Sequence, residues 1–312
     1  MLAFLIKRIF SGIFVLLGIM VFAFLLIHMI PGDPVGIMLG QNATPDQVKQ
    51  LTEQLGLNKP LVVQFFDYFI GVISGDLGMS YKSGRPVLVE ILERLPYTLR
   101  LVFSAITFAT ILGIGLGILA AKHKNTWLDR IVMFFSTLGV SIPGYWLCIL
   151  LIIVFVVKLG FLPIAGGTGM KDLILPATAM GLLLSTIICR LTRTGMIEVL
   201  SSDYIRTARS KGLSETVVML RHALRNVLIP VVTIIGLQLA GLLGGSIIIE
   251  QVFTWPGLGT LSIGAIASRD FPMVQGMVLF MGFVYVTINI LVDILYHLLD
   301  PRIKFGQEKG GI

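Results

Sequence analysis

Six apolar runs, over residues 9–30, 99–121, 131–157, 174–195, 229–249 and 274–298, constrain this chain more than anything else in it. Each reaches the roughly 20 residues that an α-helix needs to cross a hydrocarbon core of about 30 Å. Inside that core no water is available to backbone N–H and C=O groups, so each run has to satisfy its own hydrogen bonds as a helix. The expected fold is an all-α integral membrane protein with six transmembrane helices and a long extracytoplasmic segment after the first. Composition agrees, with 55% of residues hydrophobic and 13% charged, where soluble domains carry about 25% charged residues.

The net charge of +7 would suit a nucleic-acid binder, but the basic residues fall mostly in the connections between apolar runs. There they report topology and anionic lipid headgroups, and no nucleic-acid partner follows. Lys7 and Arg8, then Lys122, Lys124 and Arg130, then the stretch from Arg193 to Arg225, then Arg302 and Lys304 all fall on one side of the membrane. The positive-inside rule makes that side cytoplasmic, and an even number of spans puts both termini there. The first run follows Lys7-Arg8 as in a signal peptide, yet it is long enough to span and ends in Pro31-Gly32-Asp33-Pro34 rather than a small-residue cleavage site, so it reads as a retained anchor. The chain divides into an N-terminal transmembrane anchor helix (1–30), an extracytoplasmic segment (31–98), a five-helix transmembrane core (99–298) containing a polar loop at 201–228, and a cytoplasmic tail (299–312).

In the segment 31–98 charges recur too often for a membrane helix. Thr44-Pro45-Asp46 opens a helix that stops at Gly56, residues 64–73 form a second, aromatic-rich amphipathic helix, and the segment as a whole is expected to fold down onto the outer membrane face. The longest polar run between apolar segments in the second half is Ser201 to Pro230. Ser202 is placed to cap a first helix beginning at Asp203, Gly212 to end it in a left-handed conformation, and Ser214-Glu215 to open a second through Leu220. Tyr204, Ile205, Ala208 and Lys211 fall together on the first helix, and Val217, Leu220 and Leu224 on the second. A bent element with an apolar and a basic edge is suited to dock against a protein.

Arg206-Thr207-Ala208 followed by Gly212, and Arg221-His222-Ala223-Leu224-Arg225-Asn226 after it, resemble the cytoplasmic coupling loop of ATP-binding-cassette importer permeases. The wording departs from the general form of that loop, since Arg206 and Thr207 replace its Glu and first Ala. It is similar instead to the branch that carries dipeptides, oligopeptides, glutathione and nickel, and most like the first of the two permeases there. Leu55-Gly56-Leu57, Gly75-Asp76-Leu77-Gly78 with Ser80, Phe253-Thr254-Trp255-Pro256-Gly257-Leu258-Gly259, Arg269-Asp270-Phe271-Pro272 and Asp300-Pro301-Arg302 carry the resemblance over nearly the whole chain. It implies a type I importer permease fold. It also implies partners: a second homologous permease forming a heterodimer, two cytoplasmic ATPase subunits and an extracytoplasmic substrate-binding protein. Asp203, Arg206, Ala208, Arg209, Lys211, Gly212, Arg221 and Arg225 are then the ATPase-coupling residues. The implied cargo is a dipeptide or oligopeptide, with glutathione or a nickel complex as alternatives.

The chain encodes no engine of its own. It has no GxxxxGK[ST] phosphate loop, no HExxH, no CxxC and no GxSxG, so neither ATP hydrolysis nor a familiar hydrolase site is expected. ATP and Mg would be bound by the partner ATPases, this chain holding no cofactor. An ion-driven carrier, the rival of a different class, normally buries ionisable residues deep in its spans; here Arg190, Glu250 and Asp293 lie toward span ends. A scaffold whose basic loop recruits a soluble protein is a third reading, separated from an importer by whether transport needs the loop. His28, His123, His222 and His297 offer no chelating pair, so no metal site is expected, and Cys148 and Cys189 lie inside apolar runs as small hydrophobes. Ser141 and Pro143, at a break in the third run, with Gln238 and Asn289, are candidates for lining a pathway. For Gln238, helix packing beside Gly236, Gly241, Gly244 and Gly245 is the simpler alternative. Phe253, Trp255, Pro256 and Gly257 suit either interfacial anchoring or contact with a delivering protein.

Overall fold

A computed structural model describes residues 2–29, 36, 44–54, 56–163 and 166–299. Its helices, in chain order, are α1 (Leu2–Met29), α2 (Pro45–Gln54), α3 (Leu61–Ile73), α4 (Val87–Lys122), α5 (Trp127–Ser141), α6 (Gly144–Leu151), α7 (Met170–Leu200), α8 (Asp203–Ser210), α9 (Leu224–Val252), α10 (Leu258–Ala267) and α11 (Phe271–Leu299). Lengths of π-helix extend α6 over Ile152–Lys158 and precede α9 over Val218–Ala223. The motifs Pro31-Gly32-Asp33-Pro34 and Asp300-Pro301-Arg302, and the tail, lie outside the described residues.

Among the described residues five helices are long and apolar enough to cross a membrane, over Ile6–Leu25, Val87–Lys122, Met170–Leu200, Glu215–Gly244 and Phe271–Ile294. The third apolar run is broken where Ser141-Ile142-Pro143-Gly144 marks a break in the sequence. Its halves, Trp127–Ser141 and Gly144–Lys158, meet at 110°, because Pro143 supplies no N–H and Ile142 is extended at φ −82°, ψ 126°. The fifth run was expected to begin at residue 229, after a separate loop helix; the structure instead carries one unbroken helical rod from Glu215 into α9, with Pro230 inside it.

The described residues form two compact units, each drawn from separated stretches: Met1–Leu99 with Ser246–Val286, and Arg100–Gly245 with Thr287–Ile312. In the first unit Val87 and Ile91 pack with Leu258, Ala265, Met273 and Met277. Gly276 admits Val87 there, since a Cβ would stand 2.4 Å from Val87 Cγ1. Two stretches distant in sequence are joined by the buried Asp270, whose carboxylate accepts hydrogen bonds from Ser80 Oγ at 2.5 Å and Tyr81 N at 3.0 Å.

In the second unit α5 and α6 pack on α7. Helix α4 approaches α7 through Gly113 and Gly117, where an added Cβ would lie 2.8 Å from Ile188 Cβ and 2.6 Å from Thr192 Cβ. Arg193 is not a free loop charge: it sits on α7 and grips the buried Asp129 of α5, Nε to Oδ1 at 2.6 Å and Nη2 to Oδ2 at 2.7 Å. Asn125 N also donates to Asp129, so the basic turn 122–125 is tied to the same pair.

Candidate functional site

The polar loop is built as a braced elbow. Ser202 is extended (φ −77°, ψ 154°) ahead of α8, but its hydroxyl donates back to Val199 O at 2.6 Å and does not cap the helix as expected. Helix α8 ends where Gly212 turns left-handed at φ +77°, a conformation that costs glycine little. Gly212 N donates to Arg209 O at 2.9 Å, and Lys211 N to Thr207 O at 3.1 Å, closing the helix end. Across the bend the Arg209 guanidinium clasps Glu215 at 2.6 and 3.2 Å, a fork-to-fork pair that fixes the angle between the two arms. Tyr204 Oη accepts a hydrogen bond from Asn226 Nδ2 at 2.6 Å and ties α8 to α9.

The inner face of this elbow is apolar and already occupied. Ile205 and Ala208 are buried with Val218, Met219, Ala223 and Val227 against Ala121, Ile188 and Met196. Ala208 was expected to make close contact with a partner; it contacts its own chain instead. On the second arm the π-helical stretch shifts the register, so Val218, Met219 and Ala223 are buried, whereas Val217 and Leu220 stay 37% and 52% exposed. Val217 and Leu220 form an exposed apolar stripe at helical spacing, Leu213 is exposed in the bend before them, and Tyr204 is exposed on α8. Asp203, Arg206, Lys211, Gly212, Arg221 and Arg225 are exposed as well, Arg206 and Asp203 facing each other loosely at 3.8 Å. Arg209 is therefore committed to the brace, and a cavity of about 480 Å³ opens beside it, lined by Lys122, Lys124, Leu200, Glu215 and Met219.

Residues 250–260 form a second knot, within the first unit. Glu250 is fully buried, its carboxylate accepting from Thr98 Oγ1 at 2.7 Å and Gly259 N at 2.6 Å. Thr98 Oγ1 in turn accepts from Leu258 N at 2.8 Å. Only glycine fits at 257 and 259, where a Cβ would come within 2.5 and 2.9 Å of that carboxylate. Burial pushes the Glu250 carboxyl above its ordinary value, and the hydrogen bonds from Thr98, Gly259 and Ser246 oppose this only in part. Trp255 Nε1 donates to Tyr97 O at 3.0 Å, and Phe253 and Trp255 are 4% and 2% exposed. Their expected role as anchors or contact residues on the surface does not hold in this structure: both rings fill the interior, and Pro256 is only half-buried beside the buried Gly257.

The four pathway candidates sit on separate elements. Ser141 and Pro143 are exposed at the bend, Ser141 donating to Thr137 O at 3.2 Å. Gln238 on α9 and Asn289 on α11 are half-buried. Of the glycines near Gln238, Gly236 lies close to Val292 on α11, where an added Cβ would stand 3.0 Å from Val292 Cγ1, whereas a Cβ on Gly241 or Gly244 would meet open space. Among the described residues no group of three or more His, Cys, Asp or Glu side chains is placed to hold a metal ion. Sequence reasoning missed Glu215, Asp129 with Arg193, Asp270 with Ser80, and Glu250 with Thr98. The signal available for the last was a carboxylate followed at fixed distance by two glycines.

Comparison with known proteins agrees with this architecture. Residues 113–305 match the family model described as binding-protein-dependent transport system inner membrane component, and residues 1–102 match the model for the N-terminal part of such membrane components. The glutathione transport system permease protein GsiC of Escherichia coli K12 is 43% identical over 305 residues, 98% of this chain and all of the relative. The GsiC proteins of Shigella dysenteriae serotype 1 and Salmonella choleraesuis match to the same extent. Among solved structures, a chain of the MetNI methionine ABC transporter in an inward-facing conformation superposes with a TM-score of 0.56 at 19% identity, over 67% of this chain and 96% of that one. A chain of an amino acid ABC transporter gives 0.53 at 16% identity, over 67% and 94%.

The protein is thus a multi-pass inner-membrane permease subunit with the type I ABC importer fold. The chain belongs to the binding-protein-dependent transport system inner membrane component family, in the branch that contains the dipeptide, oligopeptide and GsiC permeases. Membership implies ATPase and membrane permease components as partners.

Proposed function

We propose that this chain is the non-catalytic permease half of a peptide importer, seated through the elbow at 203–225 on cytoplasmic ATPase subunits that bind the ATP and Mg. The observation that carries the reading is the elbow itself: welded inward by Ile205, Ala208, Val218 and Met219, braced by Arg209 and Glu215, and apolar and cationic outward. Such an element transmits displacement as a rigid lever, because its own bend cannot absorb it. A closed ATPase dimer that favours one permease state drives the exchange of access. Moving a population from 1:99 to 99:1 takes about 5.5 kcal/mol of differential binding. The other partners in this reading are a second, homologous permease forming a heterodimer and an extracytoplasmic substrate-binding protein. Both termini lie in the cytoplasm.

The cargo in this reading is a short peptide. Glutathione, itself peptide-like and carried by systems whose permeases are 43% identical to this chain, is the first compound to test, and a nickel complex the last. The test is ATPase activity and uptake in vesicles containing this chain, its neighbouring-gene partners and a binding protein loaded in turn with dipeptide, glutathione or nickel chelate. Stimulation by one of the first two supports the cargo class, and stimulation by nickel alone replaces it. Leu220→Asp places a charge on the exposed stripe of the elbow without touching the buried face. It should insert normally, lose co-purifying ATPase and lose uptake; retention of both would remove the elbow from the coupling surface.

A further inference from the structure

Helix α3 presents three different sides. Phe65 and Tyr68 face Phe24 of α1, with ring centroids 5.3 and 6.0 Å from it. Gln64, Asp67 and Gly71 share a second, polar side at helical spacing. Asp67 is the single charge on the helix and is paired with Lys59 at 2.6 Å, while Gln64 Nε2 donates to the carbonyls of Leu57 and Lys59. Val62, Phe66, Ile70 and Ile73 make the third side, with Val63 at its edge, and these residues are 42% to 70% exposed.

The contact with Phe24 sets the depth of this helix. Phe24 stands six residues before the end of the apolar run 9–30, about 9 Å along the helix, so α3 packs against the end of α1 near the point where it leaves the hydrocarbon. Val21 and Leu25, on the flank of α1 next to Phe24 at helical spacing, are exposed by 41% and 50%; the exposed apolar surface of the span therefore runs on toward the helix that packs against it. Thirteen residues reach about 20 Å, too short to cross a core of about 30 Å. A helix of this length at this level has to lie along the boundary. Its polar side is neutral as paired, and its outward side is a contiguous patch of Val, Phe and Ile that water does not favour.

We propose that α3 is an interfacial helix whose Val62, Phe66, Ile70 and Ile73 side chains are inserted among the acyl chains of the leaflet at that end of α1. The Gln64 and Asp67 edge then faces the headgroups. The occupant of this face is lipid rather than a second protein chain, on the grounds of its depth and its continuity with the exposed surface of α1. The inference is independent of what the transporter carries.

The test uses the full chain with Cys148 and Cys189 replaced by alanine, reconstituted in phosphatidylethanolamine and phosphatidylglycerol vesicles. A nitroxide is placed in turn at Phe66→Cys, Ile70→Cys, Ile73→Cys, Gln64→Cys and Asp67→Cys. Oxygen should relax the labels at 66, 70 and 73 several-fold more than a water-soluble nickel chelate does, and the order should reverse at 64 and 67. Chelate-dominated relaxation at 66 and 70 overturns the proposal by putting the face in water. Low accessibility to both reagents overturns it by putting a protein there. Where a cysteine variant fails to insert, Phe66→Trp and Ile70→Trp supply the second reading: brominated lipid should quench their fluorescence beyond that of the parent chain, and no added quenching overturns the assignment.

Discussion

Glu250 shows how one side chain organises a loop and ties it to pH. It lies beyond the apolar span Glu215–Gly244, fully buried, and its carboxyl sits above the ordinary value of 4.5 because burial disfavours the charge. As pH rises from 4.5, the unfolded chain releases a proton that the folded chain retains, so stability falls with rising pH until the folded pKa is passed. Glu250→Gln cannot ionise and still offers an acceptor to Gly259 N. Its thermal inactivation midpoint in detergent should stay level across that window where the parent declines, while Glu250→Ala should be lower at every pH. Gly212 offers a second test at the same scale. No neighbour lies within 4 Å of a Cβ built on it, so Gly212→Ala adds only left-handed strain, about 1–2 kcal/mol. Gly212→Asn, which tolerates that conformation, should come closer to the parent in both thermal midpoint and coupled uptake.

At the scale of elements, close approach of α4 to α7 depends on two of three glycines spaced along one helix. Gly113 and Gly117 face Ile188 and Thr192 at distances no Cβ can keep, while Gly115 faces open space. Gly115→Ala should raise stability slightly, by up to about 1 kcal/mol of helix propensity. Gly113→Ala and Gly117→Ala should lower it by about 1–3 kcal/mol through overpacking, as read by the thermal midpoint in detergent. The sequence pattern contains all three glycines but not which face they occupy. The same limit explains the elbow. A strict helical period puts Val217, Leu220 and Leu224 on one face, and Val217 and Leu220 are indeed exposed there, but it does not show that the π-helical stretch over Val218–Ala223 turns Val218, Met219 and Ala223 inward. A π turn arises from tertiary fit and has no dependable residue signature.

At the scale of the whole molecule, the distribution of Lys and Arg sets the sidedness proposed here. In intact cells a single cysteine at exposed Lys211 should react with an impermeant maleimide only after the membrane is opened, whereas one at exposed Ser83 should react from outside. Labelling of Lys211→Cys in intact cells would invert the topology and with it the placing of the ATPases. The two compact units also show what a linear division misses. The apolar spans and polar connections read as consecutive segments, yet packing unites 1–99 with 246–286, through buried groups such as Glu250 with Thr98 and Asp270 with Ser80.

What the sequence determined by itself was whatever follows from length, apolarity and turn chemistry: the all-α membrane class, the spans, the end of α8 at Gly212 and the exposed basic loop. These are local consequences, since a bilayer demands an apolar helix of set length and a left-handed residue favours glycine wherever it occurs. The tertiary structure alone decided the 110° angle taken at the break that Pro143 marks, the brace of Arg209 on Glu215, the inward face of the elbow and the burial of Phe253 and Trp255. Each of those depends on which distant residues fill the space beside a given side chain. A proline, an arginine or a tryptophan carries the capacity for such a contact, but only the packed chain supplies its partner.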